Sequence, residues 1–328
     1  MLKVMQVGYG YWGANLAKKL RDSSKFDFRI IAELDEDKRK CAAGNYPNIE
    51  ILDDYKGGLE SDIEAVVIGT QTQYSFDIAM DAMKKGKHVF IEKPIAQSLE
   101  KAERLVEEAR RNNVIIHCDH LMVYNPVIKY IKNMIDKGEM GEISYIDITR
   151  ANLGPIRRDI NSMLDLAVHD IAVVDYLLDG LDPNRIYALG TKGYGDQENL
   201  TYLSMKNDNV LINICSSWIS PVKIRKTIVA GTKKMVIFDD VQTDKLMVFD
   251  SGIEVVPGAV YGSYEYHTRT GDIVIPKICM EDSLRNSLEY FEDCVMKHQD
   301  SLSGPKQSLR VMKVLERAQE CLSRNKDE

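Results

Sequence analysis

Apolar residues recur in two different rhythms along this chain. In the first 120 residues, short apolar runs alternate with stretches whose apolar positions repeat at helical spacing. The runs are KVMQVG (3–8), FRIIAE (28–33), EAVVIG (64–69), HVFIE (88–92) and VIIHC (114–118); the helical stretches lie around 13–22, 36–43, 74–85 and 98–112. Such alternation predicts a parallel sheet covered by helices on both faces, and the third and fourth runs carry few polar residues, as fully buried strands do. After Tyr124 the rhythm changes. A helix is predicted over about 124–136, a strand near 143–151 and a long helix over about 162–178. From Arg185 to Phe249, the segments NRIYALG, NLTYLSM, NVLINICSSW, KTIVAG, KKMVIFD and KLMVFD alternate apolar and polar positions between short polar turns, which predicts an antiparallel meander. Helical patterns near 283–299 and 306–323 follow. We expect an α/β chain of two domains, 1–120 and 121–328, and 328 residues suffice for both.

Charge and composition narrow the partners. The formal net charge is −7 and no clustered Lys/Arg surface is visible, so nucleic acid is not an expected partner. No apolar run approaches the roughly 20 residues that span a bilayer, and MLKVMQVGYG enters an apolar strand without the features of a signal peptide. The six cysteines (Cys41, Cys118, Cys215, Cys279, Cys294, Cys321) show no CxxC and no Cys/His cluster at ligand spacing. They point to reduced thiols in a cytoplasmic protein, with no metal site and no membrane association.

Three stretches carry candidate chemistry. Gly8-Tyr9-Gly10-Tyr11-Trp12-Gly13 is a GxGxxG motif that follows the first strand directly and opens a helix, with Asp35 closing the second strand. In that context the glycines let the backbone approach a pyrophosphate at a helix N-terminus, and Asp35 accepts hydrogen bonds from ribose hydroxyls. Acids at 35 and 36 repel a 2′-phosphate, which favours NAD over NADP, although Lys38 and Arg39 stand nearby. The second stretch is GKHVFIEKP, where an apolar strand runs into Glu92, Lys93 and Pro94. Ligands lie beyond the carboxyl ends of such strands, and X-Pro is where cis peptide bonds occur. By spacing alone a site residue and an ordinary strand-end charge are equally compatible with Lys93. The third is Asp165-Leu-Ala-Val-His169, whose ends share a helix face. A satisfied core histidine is the commoner reading of such a pair; an imidazole oriented as a general base is the other.

Taken together, the glycine motif, GKHVFIEKP, the D-x-x-x-H pair and the meander resemble the Gfo/Idh/MocA family of NAD(P)-dependent sugar oxidoreductases along essentially the whole chain. The resemblance implies an N-terminal Rossmann domain, a doubly wound parallel sheet, followed by a C-terminal α+β domain with an open-faced, mainly antiparallel sheet through which homodimers or homotetramers form. It implies a catalytic set of Lys93, Asp165 and His169, and NAD held at Gly8, Gly10, Tyr11, Trp12, Gly13, Asp35, Thr70, Glu92 and Lys93. GYGYWGANL, RANLGPIRRDINSMLDLAVHDI and VAGTKKMVIFDD further resemble the branch that oxidises UDP-linked amino sugars at carbon 3. That implies a nucleotide-sugar substrate touched by Tyr124, Asn152, Arg157 and Arg158. Ketoreduction in deoxysugar synthesis, oxidation of free sugars or inositols, and NAD sensing without turnover are the competing expectations. Two departures stand out: GTQTQYSF places Gln71 and Ser75 where the family has a proline and a histidine, and Glu281-Asp282-Ser283-Leu284 replaces Glu-Pro-Leu.

Overall fold

The computed structural model describes residues 1–257 and 264–324. Its chain divides into two compact units, 1–124 with 281–313, and 125–280 with 314–328.

The first unit is built on β1 (Leu2–Val7), α1 (Tyr11–Asp22), β2 (Phe26–Ala32), α2 (Glu36–Asn45), β3 (Glu50–Leu52), α3 (Tyr55–Leu59), β4 (Ala65–Ile68), α4 (Thr72–Lys84), β5 (His88–Ile91), α5 (Leu99–Arg111) and β6 (Ile116–Cys118), closed by a 3₁₀ turn, Leu121–Tyr124. Its six strands are all parallel and lie in the order β3-β2-β1-β4-β5-β6. The order reverses between β1 and β4, the place where a doubly wound sheet opens a crevice at its carboxyl edge. β4 and β5 are almost wholly buried, which explains their unbroken apolar sequences. β3 and α3 were not anticipated: EIL is too short to show a period, and YKGGL carries two glycines that mask a helix.

The second unit contains α6 (Pro126–Asp136), β7 (Ile143–Leu153), α7 (Val168–Leu177) entered through a π-helical turn (Met163–Ala167), and the strands β8 (Arg185–Thr191), β9 (Leu200–Asn207), β10 (Val210–Ser217), β11 (Ile219–Gly231), β12 (Met235–Asp239), β13 (Leu246–Pro257) and β14 (Tyr264–Val274). They form one sheet in the order β14-β13-β12-β11-β7-β10-β9-β8, antiparallel except where β7 meets β10. Cross-strand register sorts its residues into two faces. Ile146, Ile148, Ile212, Ile214, Leu203 and Val229 are buried, whereas Tyr145, Tyr187, Leu189, Tyr202 and Leu211 on the other face are exposed. β14 escaped the sequence pattern because it is an edge strand with nearly every side chain exposed, so it shows no apolar alternation.

The chain then forms α8 (Ser283–Lys297) and α9 (Pro305–Arg324). A linear division at residue 120 assigns both to the second domain, yet 281–313 belongs to the first unit. The reason is packing. Leu284, Leu288, Phe291 and Val295 of α8 share a buried cluster with Leu2, Val4, Leu16, Leu20, Val67 and Phe90.

Within the second unit, a buried ion pair fastens α7 to the sheet: the Arg150 guanidinium on β7 holds the Asp170 carboxylate through contacts of 2.6 to 3.0 Å. Removing one partner strands a buried charge. Asp170→Ala is expected to lower the unfolding free energy by about 3–5 kcal/mol, measured by urea titration of the whole chain.

Candidate active site

β1 ends at Val7 beside Ile68 of β4, and the glycine turn begins there. Gly8 sits at φ +93, and an added Cβ would lie 2.8 Å from Thr70 Cγ2. A Cβ on Gly13 would lie 2.3 Å from the Gly8 carbonyl oxygen, so only glycine allows the first turn of α1 to approach the strand end this closely. Gln6, fully buried, pins the turn from beneath: its Nε2 donates to the Gly8 and Gly13 carbonyls, each at 2.8 Å. Above the turn there is room. Gly10 is the N-cap of α1, no side chain caps the helix, and a Cβ on Gly10 would meet nothing within 4 Å. Uncapped N–H groups and the helix dipole favour an anion at that point. Thr70 Oγ1 is buried with no hydrogen-bond partner among the described residues, so a polar ligand group would satisfy it. The turn therefore fits NAD.

The acids after β2 divide their duties. Asp35 accepts from the Lys38 N–H at 3.0 Å and caps α2; that bond holds its carboxyl below the usual range. Glu33, which the sequence reading passed over, accepts from Tyr9 N at 2.6 Å and from Asp35 N at 3.0 Å, tying the end of β2 to the glycine turn. Its signal was position, as the first acid beyond the apolar run. Arg39 is committed to the Glu33 and Leu34 carbonyls at 2.9 and 2.6 Å.

At the carboxyl ends of β5 and β6 stand Glu92, Lys93, Asp119 and His120. The Lys93–Pro94 peptide is cis. Trp12, in the first turn of α1, donates from its indole to Glu92 Oε1. Tyr11 is 91% exposed, so nothing in the first unit covers its ring. His120 was not anticipated. It is buried, both ring nitrogens lack a partner among the described residues, and burial together with the Lys93 charge lowers it to about 3, so the imidazole is neutral. The stretch HCDH at the end of β6 was the available signal.

In the second unit, Asp165 lies in the π-helical turn and His169 in the first turn of α7. π-turns often mark functional sites, and the wider turn loosens the four-residue register assumed for the pair. Asp165 Oδ2 accepts from the Trp218 indole at 3.3 Å, and Asp165 Oδ1 faces Arg157 Nη1 at 3.4 Å. Arg157 also grips Asp159 at 2.9 Å, while Arg158 is exposed. Asn152 Oδ1 accepts from Arg225 Nη2 at 2.5 Å, which adds a third, unanticipated arginine at the end of β7, the strand that leads into the loop before the helix. Tyr124 differs from expectation. It is 1% exposed, its hydroxyl donates to Ser303 Oγ at 3.0 Å, and its ring packs on His117 and Tyr290; it is a core side chain of the first unit rather than a substrate contact.

The chain matches two family descriptions, the oxidoreductase family with NAD-binding Rossmann fold (GFO_IDH_MocA) over residues 2–120 and the GFO/IDH/MocA C-terminal domain over residues 128–237. The UDP-N-acetylglucosamine 3-dehydrogenase of Acidithiobacillus ferrooxidans is 26% identical over 247 residues, 75% of this chain and 72% of that protein. The 2,7-anhydro-N-acetylneuraminate hydratase of Mediterraneibacter gnavus is 26% identical over 225 residues, 62% of this chain and 58% of that protein. The chain thus spans less than two thirds of the length of some curated relatives it matches. Among solved structures, the same A. ferrooxidans dehydrogenase has the same fold, with a TM-score of 0.83, 20% identity and 98% of each chain covered.

Gly13→Ala tests the glycine turn. The added methyl must displace the Gly8 carbonyl, a strain of about 1–3 kcal/mol, so NADH affinity measured by fluorescence titration is expected to fall by roughly tenfold or more.

Proposed function

This chain belongs to the Gfo/Idh/MocA oxidoreductase family, and on that footing we propose that it is an NAD-dependent dehydrogenase of a nucleotide-linked amino sugar, oxidising a secondary alcohol at carbon 3. The observation that carries the substrate class is the similarity to a UDP-N-acetylglucosamine 3-dehydrogenase over three quarters of the chain. The arginines of the loop before α7 support it, since guanidinium forks suit a diphosphate or a carboxylate. Arg157 and Arg158 are proposed on the substrate side together with Asn152. Arg225, held by Asn152, joins them.

The catalytic assignment of Lys93, Asp165 and His169 rests on their places in the family's motifs. Bound NAD supplies the two-electron acceptor. His169 takes the proton of the substrate hydroxyl, and Asp165, steadied by Trp218 and Arg157, stabilises the imidazolium that forms. Lys93 hydrogen-bonds the same hydroxyl oxygen and stabilises its developing negative charge. NAD rather than NADP follows from the Glu33 and Asp35 acids at the ribose end and from Arg39 being spent on backbone carbonyls. The competing reading is an inositol dehydrogenase, since a scyllo-inositol 2-dehydrogenase also matches.

Purified protein supplied with NAD and UDP-N-acetylglucosamine, its uronate, dTDP-sugars, free sugars and inositols is expected to form NADH with a UDP-sugar. NADH formation with inositol alone would overturn the substrate class. Lys93→Ala and His169→Ala are each expected to lower kcat by about 10²–10⁴-fold while NADH still binds; near-wild-type turnover in both would remove the catalytic assignment.

Self-association through the open sheet face is proposed from its exposed Tyr187, Leu189, Tyr202 and Leu211. Leu189→Glu with Tyr202→Glu is expected to reduce the mass seen by light scattering; an unchanged mass would place the contact elsewhere.

A further inference from the structure

Two acids stand side by side at the carboxyl ends of β5 and β6. Asp119 is fully buried, Glu92 is half-buried, and strand register makes them neighbours: Ile91 pairs with Cys118 across β5 and β6, the Asp119 N–H donates to the Ile91 carbonyl at 2.8 Å, and each carboxyl shifts the ionisation of the other. Each is anchored on its far side. The Trp12 indole donates to Glu92 Oε1, and Ser287 Oγ of α8 donates to Asp119 Oδ1 at 2.7 Å. Behind Ser287 the polar chain continues, with its oxygen 3.0 Å from His117 Nε2 and His117 Nδ1 2.8 Å from Ser301 Oγ.

Counting donors decides where the protons are. Ser287 has one hydroxyl hydrogen, used on Asp119, so His117 Nε2 carries the hydrogen donated to Ser287 and Nδ1 accepts from Ser301. Asp119 Oδ2 is buried and has no donor among the described residues. A proton on Glu92 would supply one. Without it, two bare carboxylates would repel each other at close range, and a buried acceptor would go unsatisfied.

We propose that Asp119 is a positioning residue for the cofactor edge: its carboxylate accepts from a proton-bearing Glu92, the two acids form one hydrogen-bonded pair with a single negative charge beside Lys93, and the pair holds Glu92 against Trp12 at the glycine turn. This rests on the NAD-binding character of the first unit and not on the identity of the substrate.

The surrounding groups fix when that state exists. Burial pushes Asp119 up, Asp282 adds to this, and the Ser287 hydroxyl, Glu92 and the Lys93 charge pull it down, leaving it at about 7. Burial and Asp119 raise Glu92 well above the usual carboxyl value, against the Trp12 indole and Lys93. His117 and His120, each lowered to about 3 by burial, stay neutral, and Cys118, raised by burial, stays a thiol. The first proton therefore leaves the pair near neutrality, and the other is held on Glu92, whose carboxyl is raised well above its usual range. Both acids are raised in the folded state, so the stability they contribute is full below the unfolded carboxyl values and declines as pH rises through about 7.

The chain has two tryptophans, so Trp218→Phe leaves Trp12 as the sole reporter. Its emission, followed without cofactor from about pH 5 to about pH 9, is expected to show one transition reporting Asp119. Asp119→Asn should abolish that transition, and Ser287→Ala should move its midpoint upward, because the lost donor stabilised the ionised form. Asp119→Ala should weaken NADH binding on the order of tenfold, and Asp119→Asn, whose amide oxygen still accepts from Glu92, should restore most of it. A transition unmoved by both Asp119→Asn and Ser287→Ala overturns the proposal, as does an Asn variant no better than Ala. A protein that shows the Trp12 transition and its loss in Asp119→Asn, yet binds no NADH, would support the pair and overturn the cofactor reading alone.

Discussion

The approach of Gly13 to the Gly8 carbonyl is the constraint on which the first unit's site depends. It exists because β1 and β4 are neighbours in a sheet whose strand order reverses between them, leaving the β1 end, the β4 end and the start of α1 to share one small space. Two glycines meet the steric demand, and Gln6 ties the turn to the helix start by spending both amide hydrogens on the Gly8 and Gly13 carbonyls. The helix start is thereby fixed without a side-chain cap, which keeps its N–H groups available to a ligand. The indole of Trp12 then carries the position of that helix to Glu92 at the end of β5.

The second unit meets an equivalent demand differently. Its helix α7 is mostly buried, and many of its side chains are apolar, so packing alone leaves its rotation about its axis weakly specified. The Arg150–Asp170 pair supplies direction, because a guanidinium fork accepts a carboxylate in few orientations. With the helix held at Asp170, the preceding turn can widen at Asp165, where Trp218 and Arg157 hold the carboxylate from two sides.

Much of this was legible in the sequence, and what was not has physical causes. The parallel sheet, the glycine turn and the meander declare themselves through periodicity, because burial imposes the period. β3, α3 and β14 do not, since the first two are too short and the last is an exposed edge without an apolar face. The return of 281–313 to the first unit is invisible because amphipathicity shows that α8 has a buried face but not which surface buries it. Tyr124 was placed with the substrate by resemblance, whereas Ser303, which satisfies its hydroxyl in the core, lies 179 residues away. Asp35 is the acid expected at a ribose, and the capping bond that its Oδ1 accepts is a further, local duty that spacing alone does not separate from binding.

Asp119 and His120 show why such sites hide from pattern reading. Both follow a short buried strand, where an acid and a histidine ordinarily mark the sheet's edge. Here α8 covers Asp119 with Ser287, and the cover converts an exposed strand end into a buried one. An acid in that place needs neighbours that stabilise its charge, and beside the Ser287 hydroxyl and Lys93 one of them is itself an acid. The consequence is a pair whose ionisation falls near neutrality, set by helix packing rather than by any residue type in the strand.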